Sequence, residues 1–111
     1  MRERARALFH APPQNLNCAQ AVLAAYQEAS GDQALDLQAF QAHGGGRAPG
    51  GLCGALHAAC AIHPEAAEAL RNGFLQEVGH LDCASIRVRG LDACRDCVGL
   101  AVGLLAQGIL G

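Results

Sequence analysis

The stretch GGGRAPGGLCGALHAAC, from Gly44 to Cys60, decides how the rest of the chain is read. Five of its first eight residues are glycine, and an alanine-rich run with a cysteine near its start follows at once. Glycine lets a backbone approach its neighbours closely, and a helix beginning at Gly51 or Leu52 aims unpaired N–H groups at whatever lies before it. Gly50, Gly51 and Gly54 therefore form a supporting loop around Cys53, in a setting that favours a thiolate.

Working outward, the 111 residues suit one domain, 1–111, with a single core. Apolar residues make up 51% of the chain, but aromatics only 4%, without Trp. A core of Ala, Leu, Val and Cys favours closely packed helices over sheets stacked on large side chains. The expected fold is all-α, a compact helical bundle of about five to six short helices with one glycine-rich loop. Eight basic against ten acidic residues give a net charge of −2, which offers no nucleic-acid footprint.

The charged start, Arg2 to Arg6, leads through Leu8 and Phe9 to Pro12-Pro13 rather than into a secretory apolar region, so a cytoplasmic location is expected. The apolar run from Val98 to Leu110 is too short for a membrane span. Six cysteines in such a chain point to metal ligands or redox thiols rather than structural disulfides.

In chain order, a first helix runs from Arg2 to Phe9. Asn15 or Asn17 caps a second, in which Cys18, Ala21, Val22, Ala25, Tyr26 and Ala29 share one face, and Gly31 ends it. Asp32 caps a third over 34–42, stopped by the glycines at 44–46. A fourth, over 52–62, puts Cys53, Leu56 or His57, and Cys60 on one side and stops at His63-Pro64. Pro64 opens a fifth, closed by Gly79 after Val78, with Ala67, Leu70, Phe74 and Val78 facing inward. Cys83 falls in a connector. Asp92 caps a last helix over 93–109, striped by Cys94, Val98, Ala101 and Leu105 and grooved by Gly99 and Gly103. That groove leaves room for a homodimer.

If consecutive helices alternate in direction, the second, fourth and sixth begin at one end of the bundle and the fifth finishes there. Cys18, Cys53, Cys83 and Cys94 then arrive together, three of them in the positive field of a helix N-terminus. Cys60 lies about 10 Å deeper along its helix and reads as a small core residue. Cys97 completes a Cys94-Arg-Asp-Cys97 pair, a further ligand or a resolving thiol. His57, one turn beyond Cys53, is the histidine best placed to support the sulfurs.

Asn17-Cys18-Ala-Gln-Ala-Val, Cys53-Gly54-Ala55, the run from Phe74 to Cys83, and Cys94 with Val98 together resemble the redox-active family named for its C_GCAxxG_C_C cysteine pattern. The resemblance covers nearly the whole chain, and it places the family's cysteines on Cys18, Cys53, Cys83 and Cys94. Ala58 stands where the pattern has its closing glycine, and Cys60 and Cys97 are additional. The resemblance implies a redox role without specifying a mechanism.

The leading expectation is an iron–sulfur cluster held by Cys18, Cys53, Cys83 and Cys94, passing electrons to a redox partner protein. The four are separated by 34, 29 and 10 residues, unlike the bunched ligands of ferredoxin motifs. The first alternative needs no cofactor: a thiol–disulfide protein with Cys53 as nucleophile and Cys18 or Cys83 resolving, or else Cys94 with Cys97. The second is a zinc or copper binding module. Nothing commits the chain to being an enzyme; with Ser30 and Ser85 its only serines, it has no serine-based nucleophile motif.

Overall fold

A computed structural model describes residues 2–44 and 47–110. The expected all-α architecture is what it shows: six α-helices and short 3₁₀ turns, with two isolated backbone bridges in place of strands among the described residues. The helices are α1 (Arg2–Leu8), α2 (Cys18–Ser30), α3 (Gly54–Ile62), α4 (Ala67–Val78), α5 (Cys83–Arg87) and α6 (Leu91–Leu110). No helix among the described residues is long and apolar enough to cross a membrane.

The start of α2 follows from its local sequence. Asn17 accepts a hydrogen bond from the Gln20 N–H at 2.8 Å, and the Gln20 side chain accepts one from the Asn17 N–H at 3.1 Å. This reciprocal box satisfies two of the donors that a helix start leaves open. Gly31 ends the helix at φ 76°, and Gly79 ends α4 in the same left-handed way.

Elsewhere the boundaries differ from expectation. The third segment is a 3₁₀ helix, Gln38–His43, and Asp36 rather than Asp32 supplies the carboxylate at its start, accepting from the Gln38 N–H at 3.0 Å. Asp32 instead turns the chain locally by accepting from the Ala34 N–H. The expected stop at Gly44 holds, while Gly45 and Gly46 lie outside the described residues. Cys83 opens a helix of its own instead of lying in a connector, because Asp82 accepts from the Ser85 N–H at 2.9 Å. Asp92 falls inside the first turn of α6, where it meets Arg95, rather than capping it.

The core is built as the composition implies. Ala19, Ala21, Ala55, Ala58 and Ala59 are fully buried and let α2, α3 and α6 approach one another, while Val22, Leu23, Leu56, Phe74, Val98 and Leu105 fill the remaining volume. Ala58 is wholly enclosed despite carrying a methyl group where the family pattern has none. The groove at Gly99 and Gly103 is filled from within the chain. A Cβ at Gly99 would stand 2.9 Å from Arg6 Cδ, and one at Gly103 would stand 3.1 Å from Arg2 Cδ. The aliphatic stems of α1 arginines thus occupy the surface that had left room for a second copy.

Candidate functional site: a convergence of five thiols

Every cysteine of the expected set sits at a helix start. Cys18 is the first residue of α2, Cys53 the residue capping α3, Cys83 the first of α5, and Cys94 in the opening turn of α6. Two backbone features bring them together. Leu52 and Asp82 form an antiparallel bridge, and the Cys53 N–H donates to the Leu81 carbonyl at 2.8 Å, so Cys53 and Cys83 follow paired residues. On the other side, α3 begins against α2. A Cβ at Gly54 would lie only 2.5 Å from Cys18 Sγ and 2.8 Å from the His43 carbonyl oxygen.

Gly44 and Arg47, on either side of the two residues outside the described set, lie in one lining with Cys18, Cys83 and Cys94. Asn17, while capping α2, also donates to the carbonyls of Phe40 and Gln41 at 3.3 and 3.0 Å. Arg47 donates to the carbonyls of Gly44 and Gln41 at 3.0 and 3.1 Å, which closes the loop back on that segment. Gly44 is required there, since a Cβ would meet the Asn17 side chain at 2.7 Å. Gly50 and Gly51 contribute differently: both have φ near +70°, turning the chain toward Cys53 in a conformation that other residues resist.

Cys18, Cys83 and Cys94 line one cavity of about 260 Å³, together with Phe9, His10, Asn17, Gly44, Arg47 and Arg87. Cys53 and Cys97 lie inward of it, 5% and 3% exposed, and meet each other. The Cys53 thiol hydrogen-bonds the Cys97 sulfur, which holds Cys97 below the ordinary thiol range against the opposing effect of burial. The same bond, then burial, pushes Cys53 far up, although the N–H groups of Leu56 and Ala55 pull toward its thiolate. The pair thus carries one negative charge more readily than two.

Two of the cavity thiols, Cys83 and Cys94, are shifted upward. Burial raises Cys83, with a smaller contribution from nearby Cys53, and the Arg87 guanidinium works in the opposite direction. Burial also raises Cys94, followed by the fields of Cys18, Cys83 and Cys53. These mutual effects place the five sulfurs within electrostatic reach of one another. Cys60 stands apart as expected, half-buried between α3 and α4 with its thiol 3.8 Å from the Ala67 carbonyl.

The structure sets Cys53 beside Cys97, the cysteine that the spacing offered as a further ligand or resolving thiol. A signal for Cys97 was present: Cys97, Ala101 and Leu105 repeat every four residues beside Val98 and Val102, which puts Cys97 inside the buried stripe of α6. His57 packs with His43 and Phe40, ring centroids 4.6 and 5.9 Å away. Its place in the structure is thus the contact between α3 and the 3₁₀ segment.

That contact gives a pH prediction. Burial, then His43, lowers the His57 pKa from its ordinary 6.5. The unfolded chain therefore binds a proton below pH 6.5 that the folded chain resists, and stability falls as pH drops from 6.5 toward the lowered value. Chemical denaturation between pH 7.5 and 5 (about the window where histidine titrates) should show this decline. His57→Phe, stacked against Phe40, should flatten it.

No family model, curated protein or solved structure matches this chain. The site is therefore read from its own chemistry. An iron–sulfur, zinc or copper centre needs three or four donors directed at one point. Among the described residues, no group of three or more His, Cys, Asp or Glu side chains is arranged to hold a metal ion. The thiols share a neighbourhood, but as they stand they do not form a ligand cage.

Proposed function

We propose that this protein is a thiol–disulfide redox protein whose reacting pair is Cys53 and Cys97. The observation that carries the reading is the juxtaposition of two buried cysteines, Cys53 and Cys97, in the core, where their interaction favours one thiolate beside one protonated partner. The thiolate is the attacking species in disulfide exchange, and an adjacent thiol resolves the mixed disulfide. Cys97 attacks one sulfur of a disulfide brought to the pair, including a mixed disulfide formed on a cavity thiol, and the other sulfur leaves as a thiolate. Cys53 then gives up its proton to that leaving group and attacks Cys97, expelling the second half. The protein pair loses two electrons and the partner disulfide becomes one thiol and one thiolate.

Titration against a graded thiol–disulfide buffer, with the bridge located by mass spectrometry, should yield a reversible Cys53–Cys97 disulfide. Cys53→Ala and Cys97→Ala should each abolish it, and Cys60→Ala should leave it intact. Absence of an intramolecular pair, or a reversible bridge that excludes both residues, overturns the reading.

The cluster expectation rests on the same convergence of Cys18, Cys53, Cys83 and Cys94, and it requires those side chains to rearrange into a cage. Anaerobic reconstitution with iron and sulfide distinguishes the two. Stoichiometric iron with a visible charge-transfer spectrum, lost in Cys18→Ala, would favour the cluster; a colourless protein with the Cys53–Cys97 couple favours the thiol pair.

A further inference from the structure

We propose that the cavity lined by Cys18, Cys83 and Cys94 is the binding site for a small disulfide bearing carboxylates, that Arg47 and Arg87 attract it, and that Cys94 is the thiol that opens it. The inference deepens the thiol–disulfide reading by naming the class of substrate and its point of entry. Its first support is size. About 260 Å³ falls just below the roughly 300 to 1,000 Å³ of drug-sized ligand sites, and suits a small molecule rather than a folded polypeptide.

Charge supplies the second support. Two guanidiniums and the His10 imidazole line the cavity, and its lining residues include no carboxylate. Arg47 is fixed by its bonds to Gly44 and Gln41, so its charge is held at the rim at no further ordering cost. Arg87 extends from α5, one turn beyond Cys83, and its charge favours the thiolates of both Cys83 and Cys94. A planar guanidinium fork suits carboxylate recognition.

Exposure and spacing identify Cys94. Cys18 and Cys83 are buried at 9% and 6% exposure, whereas Cys94 is partly open. Cys97 follows it by three residues on the same helix, so a resolving thiol stands one turn deeper. The Cys94 thiolate attacks one sulfur of the small disulfide; that S–S bond breaks, and the departing half takes up the proton Cys94 released. Cys97 attacks the Cys94 sulfur and expels the second half as a thiolate. Cys53 then attacks Cys97, which returns Cys94 as a thiolate, and the Cys53 proton goes to the second half. The small disulfide gains two electrons and leaves as two thiols, while Cys53 and Cys97 hold the new bond.

Three disulfides of similar size separate charge from redox chemistry: 3,3′-dithiodipropionate, 2-hydroxyethyl disulfide and cystamine, which are anionic, neutral and cationic. Each rate of oxidation of the reduced protein is divided by the rate of the same reagent with urea-unfolded protein, which removes intrinsic reactivity. At low salt the normalised rate should be about tenfold higher for the anionic than for the cationic reagent, the lower end of electrostatic steering in a charged cleft. Arg87→Gln, an exposed substitution, should cut that ratio to about threefold or less. So should about 0.5 M salt, which shortens the screening length to a few Å.

Equal normalised rates, or a preference that survives both Arg87→Gln and salt, overturn the anionic site. In Cys97→Ser protein, a half-molecule of dithiodipropionate should be trapped on Cys94; trapping on Cys18 or Cys83 instead overturns the entry assignment. If the neutral reagent still yields the Cys53–Cys97 bridge while the charge preference is absent, only the substrate class fails. If no reagent yields the bridge, the thiol–disulfide reading itself fails.

Discussion

Phe74→Ala should destabilise the protein by about 3–5 kcal/mol and lower its melting temperature by more than about 10 °C. Phe74 is 0% exposed and, with Leu70, forms the buried face of α4, which packs on α3 and α6. The chain holds three Phe, one Tyr and no Trp, so most of the surrounding core is alanine, valine and leucine. Small neighbours fixed on packed helices cannot close over the volume of a lost ring, and the cavity persists. Thermal and urea unfolding measure the loss. A change below about 1 kcal/mol would mean that α4 is not anchored through this ring. Because Phe74 lies away from the cavity lining, the variant that remains folded at low temperature should keep the Cys53–Cys97 bridge.

Gly54→Ala should cost about 1–3 kcal/mol, the range for forcing extra volume into a packed site. The added methyl would stand 2.5 Å from Cys18 Sγ and 2.8 Å from the His43 carbonyl oxygen. Alanine ordinarily favours a helix over glycine, but Gly54 is the first residue of α3, and one of the two atoms in its way belongs to backbone. Combining it with Cys18→Ala removes the sulfur and leaves the carbonyl, so the double variant should recover part of the loss. Equilibrium denaturation of the two single variants and the double closes this cycle. A neutral or stabilising Gly54→Ala would show that α2 and α3 do not depend on their close approach.

The helices with strong local signals were legible in the sequence. Asn17 and Gln20 announce α2, Gly31 and Gly79 announce two ends, and the four-residue spacing of Val98, Val102 and their neighbours announces α6. The segment around Leu37 was read less well, because its structure is decided by what holds it. Gln20 donates to the Leu37 carbonyl and Asn17 to those of Phe40 and Gln41, so α2 satisfies carbonyls that a free-standing helix would have had to satisfy itself. Cys83 was placed in a connector for a related reason: α5 spans only five residues, too short for periodicity to register, and rests on one Asp82 cap.

The position of each cysteine along its helix is a property of the sequence alone. Caps, glycines and apolar spacing put Cys18, Cys53 and Cys94 at helix starts, and short connections bring those starts to one end. Which thiol meets which was decided by the tertiary structure. The bridge between Leu52 and Asp82 sets Cys53 beside Cys83, and the way α3 lies on α6 turns Cys53 toward Cys97. Arg2 and Arg6 likewise cover Gly99 and Gly103 only because α1 packs across α6. Local propensity fixes where a residue falls on its own helix. Contacts between helices depend on their crossing and rotation, which the packing of the whole core determines.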